Sequence, residues 1–115
     1  MGKTVLETER LRLREMGEGD FEFLTHMLCD ATVMRYWPRP YTIQESREWL
    51  DRQIARYDCE GFGYWIAETH EGHPLGQAGL MLQEFGDRNE VGVGYIFAEA
   101  AWGKGYATEA TRACL

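Results

Sequence analysis

Three strand patterns that follow one another directly limit the folds open to this chain. The first runs from Phe62 to Glu68 and the second from Leu75 to Leu82, with a polar turn at residues 69–72 between them. In the third, at residues 91–97, apolar residues recur with the period of two that a strand requires. Consecutive strands without an intervening helix favour a largely antiparallel sheet in an α+β domain over a series of βαβ units.

Patterns on either side of these strands complete the predicted order of elements. Leucines alternate with arginines at residues 10–14, which predicts a strand with one buried face. Asp20 is expected to cap a first helix, and Thr42 and Glu45 form a capping box that opens a second. A last helix is expected from about Gly105. The predicted order is therefore β-α-α-β-β-β-α, in one domain over residues 1–115.

Charge and cysteine content argue against several classes of function. The formal net charge is −7, from 12 basic and 19 acidic residues. Nucleic acids and anionic membranes are bound through basic surfaces, so we expect neither as a partner. The cysteines, Cys29, Cys59 and Cys114, form no C-x-x-C pair, and we expect free thiols and no metal site. No apolar run has the form of a signal peptide or the length of a membrane span, so the expected location is the cytoplasm.

The segment that carries chemical information lies between the last strand and the last helix. A short loop there contains Gly103-Lys104-Gly105. Glycine lets the backbone approach a ligand closely, and the first turn of a helix has unpaired N–H groups and a partial positive charge. Together these features make a phosphate cradle, to which Lys104 adds a charge. For a bare G-x-G an ordinary glycine turn is the commoner explanation, and both interpretations stay open on this ground alone.

The wider run from Gly94 to Ala110, GYIFAEAAWGKGYATEA, resembles the acetyl-CoA signature of the GNAT superfamily of N-acetyltransferases. In that signature a Gln or Arg precedes x-x-Gly-x-Gly/Ala, and here Gly105 and Ala107 fill the small positions. Trp102 occupies the position of Gln or Arg, a departure typical of the RimJ/RimL-like branch. The segments 7–14 and 30–37 resemble the same branch, so the likeness extends over the whole chain in collinear order.

The resemblance implies a fold, a cosubstrate and a reaction. It implies a partial GNAT fold with helices on both faces of a mostly antiparallel, mixed sheet. Acetyl-CoA would lie where the last predicted strand splays from the strand that follows it in the family, and a primary amine would attack the thioester directly. The amine would be a protein N-terminus or a small molecule. The implied coenzyme residues are Tyr95, Ile96, Phe97, Trp102, Gly103, Lys104, Gly105, Tyr106, Ala107 and Thr108.

The groups that move protons are less well marked. Many members of this branch carry a Glu two residues before the Gly-Tyr of the strand, and here that position is Gly92. The nearest carboxylate is Glu90, on the same strand face, which is our candidate for a base that acts through water. A solvated Glu at the end of a strand is the alternative. Tyr106 is expected to pack, and Glu109 to lie on the surface of the last helix.

The aromatic pair Tyr36-Trp37 is the candidate acceptor site, because the corresponding loop lines that site in relatives. Pro38 and Pro40 flank the pair, and aromatic residues beside prolines also serve as loop anchors. Both roles stay open.

The family resemblance also implies that a GNAT domain continues beyond Leu115, with a further strand beside the last one seen here. We therefore expect an open sheet edge and self-association of the chain through that edge or the last helix. An active enzyme and a non-catalytic coenzyme-binding fragment are both compatible with these features. A different nucleotide-binding module is disfavoured, because no βαβ unit surrounds the glycine loop.

Overall fold

The computed structural model describes residues 3–85 and 88–114, except for the side chains of residues 82–90. Two short 3₁₀ turns, Glu18–Asp20 and Glu99–Ala101, lie between the main elements. Among the described residues no helix combines the length and apolar character needed to cross a membrane. The strands and helices, in chain order, are β1 Thr4–Glu7, β2 Leu11–Arg14, α1 Phe21–Leu28, α2 Ile43–Cys59, β3 Tyr64–Thr69, β4 Pro74–Phe85, β5 Arg88–Phe97 and α3 Tyr106–Cys114.

The strands form one sheet in the order β1-β2-β3-β4-β5, and each neighbouring pair is antiparallel. The sheet contains one strand more than the sequence predicts, because β1 pairs with β2 as a hairpin. The turn is closed at Thr8, whose N–H donates to the carbonyl oxygen of Leu11 at 2.8 Å. Three of the four β1 residues are exposed, so this strand has no alternation of buried and exposed positions by which the sequence could mark it.

Helices cover both faces of the sheet, as expected. On β3, Tyr64 and Ile66 point to one face and pack with α1 and α2. Trp65 and Ala67 point to the opposite face, in a second cluster that includes Ala110 of α3. The small residues of α3 therefore lie against the sheet. The helix begins a few residues after β5 ends, so its first turn lies beside the end of that strand.

The two predicted helix starts differ in outcome. The capping box of α2 is confirmed, because Thr42 Oγ1 accepts from the Glu45 N–H at 3.1 Å and Glu45 Oε1 accepts from the Thr42 N–H at 3.0 Å. Asp20 occupies the N-cap position of α1 but its side chain caps nothing there, so that prediction is wrong. Its carboxylate instead binds the guanidinium of Arg14 at 2.7 and 2.9 Å and accepts from the Gly17 N–H at 2.8 Å, within the 3₁₀ turn that precedes the helix.

Candidate functional site

A cleft of about 450 Å³ opens between the end of β5, the start of α3 and the loop that joins α1 to α2. Tyr36 and Trp37 line it from that loop, and residues 95–97 line it from β5. Residues 101–108 line it from the other side, except Lys104, whose contact with a ligand stays a prediction. The loop at residues 36–37 thus meets segments 95–97 and 101–108, which lie far from it in sequence, around one cleft.

The glycine loop has a backbone conformation that other residues avoid. Gly103 has a φ of 78° and Gly105 a φ of 79°, in the left-handed region. A Cβ on Gly103 would meet no atom within 4 Å, and one on Gly105 would lie 3.4 Å from Nη2 of Arg10. Backbone conformation, and not lack of space, is therefore the reason for these glycines.

The loop and the first turn of α3 present a row of free backbone donors. The first hydrogen bond of the helix runs from the Glu109 N–H to the Gly105 carbonyl oxygen, at 3.0 Å. The N–H groups of residues 106–108 precede that bond and have no partner within the helix. Within the described part of the chain, those of residues 103–105 also donate to no protein acceptor. These amides, with the partial positive charge of the helix start, can hold a phosphate group.

The edge of β5 supplies further backbone groups. The Ala98 N–H donates towards β4, to the Leu75 carbonyl oxygen at 3.0 Å. Because backbone groups alternate in direction along a strand, those of Tyr95 and Phe97 point to the opposite edge. Among the described residues no strand pairs with that edge. The cleft therefore has backbone donors and acceptors along one wall and the amides of the loop at its end.

The wall of the cleft formed by the α1–α2 loop is aromatic and cationic. Tyr36 is 82% exposed, so it packs too little to anchor the loop. The guanidinium carbon of Arg35 lies 5.0 Å from the ring centre of Tyr36 and 4.9 Å from that of Trp102. Arg35 is the charged side chain that sequence analysis missed, although it lies within the segment 30–37 that carried the family resemblance. Within the described part of the chain, it alone among the residues lining the cleft carries a formal charge.

The candidate base lies on β5, opposite Gln83 of β4. Glu90 is two residues before Gly92, so both side-chain positions are on one face of the strand. The Glu90 side chain lies outside the described part of the structure, and its role stays a prediction. The described residues contain no group of three or more His, Cys, Asp or Glu that could hold a metal ion.

Glu109 lies at the surface of α3, as expected, but its side chain is paired there and not free. Its side chain is 18% exposed and accepts hydrogen bonds from the Thr8 hydroxyl, from Arg10 N–H at 2.9 Å and from Arg10 Nε at 2.6 Å. Desolvation works to raise the pKa of Glu109, but the bonds from Thr8 and Arg10 outweigh it and lower that pKa. Glu109 therefore stays ionised and joins α3 to the β1–β2 turn.

Comparison with known proteins gives a family match over most of the chain. The family model described as "Acetyltransferase (GNAT) domain" matches residues 10–115. Among curated proteins, the uncharacterized protein YkkB of Bacillus subtilis (strain 168) is 39% identical over 115 residues, which cover 98% of this chain and 67% of that protein.

Solved structures with the same fold include two acetyltransferases. The acetyltransferase from Agrobacterium tumefaciens str. C58 superposes with a TM-score of 0.80 at 25% identity, over 99% of this chain and 66% of that one. RimL, a ribosomal L7/L12 alpha-N-protein acetyltransferase in complex with coenzyme A, superposes with a TM-score of 0.73 at 15% identity, over 96% of this chain and 64% of RimL. At that identity RimL shows a shared fold alone. The chain spans about two thirds of the length of the proteins it matches.

Proposed function

The chain belongs to the GNAT acetyltransferase family, and on that premise we propose that it binds acetyl-CoA in the cleft and supports transfer of the acetyl group to a primary amine. One observation carries the proposal. The free amides of residue 103 and residues 105–108 lie at the same cleft as the edge of β5 at Tyr95 and Phe97, with which no described strand pairs. The Phe97 carbonyl oxygen accepts from the Trp102 indole N–H and keeps a second acceptor position for a ligand. A ligand with a diphosphate at one point and an amide-containing arm at another matches both features.

The described residues fit the two chemically distinct parts of acetyl-CoA. Its diphosphate is an anion suited to the amides of residues 103–108 and to the partial charge at the start of α3. Its pantetheine arm has two amide groups that can pair with the backbone of Tyr95 and Phe97 as an added strand would. Trp102 lies between these regions and forms part of the cleft wall.

The reaction requires a neutral amine and a donor for the thioester oxygen. The unpaired amides of β5 can supply that donor as charge develops on the oxygen. We assign Glu90 as the base, acting through water, and Tyr36 and Trp37 as the walls that hold the acceptor. The α-amino group of a protein has a pKa of about 7.7–8.0 and a lysine amine about 10.4. A weaker base is therefore enough to deprotonate a protein N-terminus than to deprotonate a lysine. The proposed acceptor is therefore an α-amino group, with small primary amines as the alternative class, and the proposed location is the cytoplasm.

Coenzyme binding without turnover is the second candidate. One observation supports this candidate: the residues lining the described part of the cleft include no carboxylate and no imidazole that could take a proton. Binding and turnover are separable by experiment, so this candidate can be distinguished from the first.

Calorimetric titration of acetyl-CoA into the protein tests binding. Gly105→Asp places a carboxylate in the cradle and should abolish the heat of binding. Gly61→Asp is the matched control, since Gly61 has a φ of 78°, has open space around its Cα and does not line the cleft. Absence of heat with the wild-type protein, or equal binding by both variants, would remove the coenzyme proposal.

Release of free thiol from acetyl-CoA tests turnover, with a peptide bearing a free N-terminus and a polyamine as acceptors. Thiol release that depends on the peptide supports the enzyme and the proposed acceptor class. Release with the polyamine alone supports small amines. Binding without release from either acceptor supports the second candidate.

Within the described residues no strand pairs with the outer edge of β5, which supports the predicted self-association through strand addition. The coenzyme would use the same edge, so acetyl-CoA should dissociate such an assembly. Light scattering at micromolar concentration, with and without acetyl-CoA, tests this. A stable monomer in both conditions would contradict self-association and leave the coenzyme proposal intact.

A further inference from the structure

We propose that Arg10 is a positioning residue that holds the coenzyme loop in its binding conformation. It acts from the β1–β2 turn, through the carboxylate of Glu109 and the carbonyl oxygen of Lys104. The inference rests on the proposed function, because it concerns the loop assigned to the diphosphate. Arg10 is separated by 94 residues from Lys104 and by 99 from Glu109.

The guanidinium of Arg10 makes three contacts with the loop and the helix that follows. Its Nε donates to Glu109 Oε1 at 2.6 Å, and its Nη1 donates to the Lys104 carbonyl oxygen at 2.8 Å. Its central carbon lies 4.5 Å from the ring centre of Tyr106. One planar, charged group thus contacts the residue before Gly105, the residue after it and the first full turn of α3.

The turn that presents Arg10 is itself well held. The Thr8 hydroxyl accepts from the Leu11 N–H at 3.0 Å and donates to Glu109. The ring Nε2 of His70 lies 2.9 Å from the Thr8 carbonyl oxygen, which links the turn to the end of β3. Arg10 therefore reaches the loop from a fixed base, with its own backbone N–H also bound to Glu109 at 2.9 Å.

The contact with Lys104 sets the direction of a ligand-binding amide. A trans peptide unit is planar, so its C=O and N–H groups point in opposite directions. When Arg10 holds the carbonyl oxygen of Lys104, the N–H of Gly105 points away from Arg10. Two left-handed glycines make this loop intrinsically free to adopt other conformations, and its amides donate to no protein acceptor among the residues that the structure describes. Arg10 supplies that restraint.

Direct binding of the phosphate by Arg10 is the competing explanation, because Arg10 also lines a groove on its side of Gly105. The two explanations predict opposite signs for a change at Glu109. If Arg10 were a direct ligand, removing the Glu109 charge would free a cation and strengthen the binding of an anion. If Arg10 positions the loop, removing that charge weakens its hold and weakens binding.

The experiment measures calorimetric dissociation constants for acetyl-CoA and for S-acetylpantetheine, which lacks the diphosphate. Arg10→Ala and Glu109→Gln should each weaken acetyl-CoA binding about tenfold or more, since each removes or weakens a charge-assisted hydrogen bond that holds the loop, and about 1.4 kcal/mol corresponds to tenfold in affinity. Arg10→Lys keeps the charge and should lie between wild type and Arg10→Ala. Arg47→Ala, which breaks the Arg47–Glu18 ion pair remote from the cleft, should leave binding unchanged.

Binding of S-acetylpantetheine separates positioning of the diphosphate loop from general damage to the cleft. We expect its dissociation constant to stay within about twofold in every variant, while the constant for acetyl-CoA rises. A parallel loss of both ligands, tighter acetyl-CoA binding by Glu109→Gln, or no change in Arg10→Ala would each overturn the positioning role. If the wild-type protein does not bind acetyl-CoA, the proposed function fails first. If wild type binds and the Arg10 and Glu109 variants match it, only this inference fails.

Discussion

The indole N–H of Trp102 donates a hydrogen bond to the backbone carbonyl oxygen of Phe97, at 2.8 Å. This bond joins the start of the glycine loop to the end of β5, the two walls of the cleft. It also gives a physical reason why Trp can occupy the signature position at which Gln or Arg is commonest. All three side chains carry N–H donors, so each is able to reach a strand-end carbonyl.

Trp102→Phe should therefore loosen the cleft while keeping an aromatic ring in it. We expect the free energy of unfolding to fall by about 1 kcal/mol, the usual net value of one hydrogen bond. Acetyl-CoA affinity should fall as well, because the loop loses its link to β5. Urea unfolding and calorimetry measure the two effects. Trp102→Gln, which restores a donor, should recover affinity better than Trp102→Phe, and the reverse order would argue against the hydrogen bond.

Gly103→Ala should cost stability and coenzyme binding together. The left-handed backbone is unfavourable for alanine by about 1–2 kcal/mol. Gly61→Ala is a matched control, because both glycines have a φ of 78° and neither has an atom within 4 Å of an added Cβ. Similar unfolding midpoints for the two variants, with weaker acetyl-CoA binding for Gly103→Ala alone, are expected. Equal affinity in both variants would show that the conformation of Gly103 does not matter for the coenzyme.

Local patterns were sufficient to predict the parts of the molecule that depend on neighbouring residues. The capping box at Thr42 and Glu45, the strand ending at Phe97 and the glycine loop at residues 103–105 each have a signal within a few residues. The alternation in β2 also predicted that Leu11 and Leu13 form its buried face. The family resemblance then brought Tyr36 and Trp37 into consideration, and the structure places both at the cleft.

Long-range ionic contacts had no such signal. Nothing near Glu109 in the sequence shows that Arg10 lies beside it, because the two residues meet only after β1 and β2 pair and α3 packs on the sheet. Asp20 has the residue type of a cap, but its carboxylate binds Arg14 and the Gly17 N–H of the preceding 3₁₀ turn and does not cap α1. The charge of Arg35 gave no indication that its guanidinium would stack between two aromatic rings.

Arg39→Ala should raise the pKa of Glu45. Hydrogen bonds from Arg39 are the main reason that the pKa of Glu45 is lowered to about 2, and the Thr42 amide adds to the effect. In the variant the pKa of Glu45 should move towards the unperturbed glutamate value of about 4.3 without reaching it, because the hydrogen bond from the Thr42 amide remains. Carbon-detected NMR titration of the Glu45 carboxyl measures the change. A titration unaffected by the substitution would mean that the ion pair is not formed in solution.

The same shift determines how stability depends on pH. The pKa of Glu45 is lower in the folded state, so its stabilising contribution is complete above the unfolded pKa and is lost as pH falls towards about 2. Wild type should therefore lose more stability than Arg39→Ala between pH 5 and pH 2, and the gap between them should narrow. Urea unfolding at several pH values measures this gap. If the difference in the free energy of unfolding between the two proteins grew in acid, the predicted direction of the Glu45 contribution would be contradicted.

Trp49 and Gln77 should behave as a coupled pair in the core. Gln77 is fully buried on β4, and its Oε1 accepts from the Trp49 Nε1 of α2 at 2.8 Å. Its Nε2 has no protein partner among the described residues. Trp49→Phe removes the donor and leaves the whole amide group without a partner, which should cost about 1–3 kcal/mol in the free energy of unfolding.

Replacing the amide as well should recover part of that loss. Gln77→Met keeps a side chain of similar length and removes the polar atoms, so the double variant Trp49→Phe/Gln77→Met has no buried amide to leave unpaired. We expect the double variant to be more stable than Trp49→Phe alone, because replacing both partners of a buried hydrogen bond by apolar groups can be nearly neutral. Urea unfolding of the four proteins gives the coupling energy directly. Strictly additive losses would mean that the indole N–H and the amide act independently, and the hydrogen bond between α2 and β4 would then contribute nothing to the stability of the sheet.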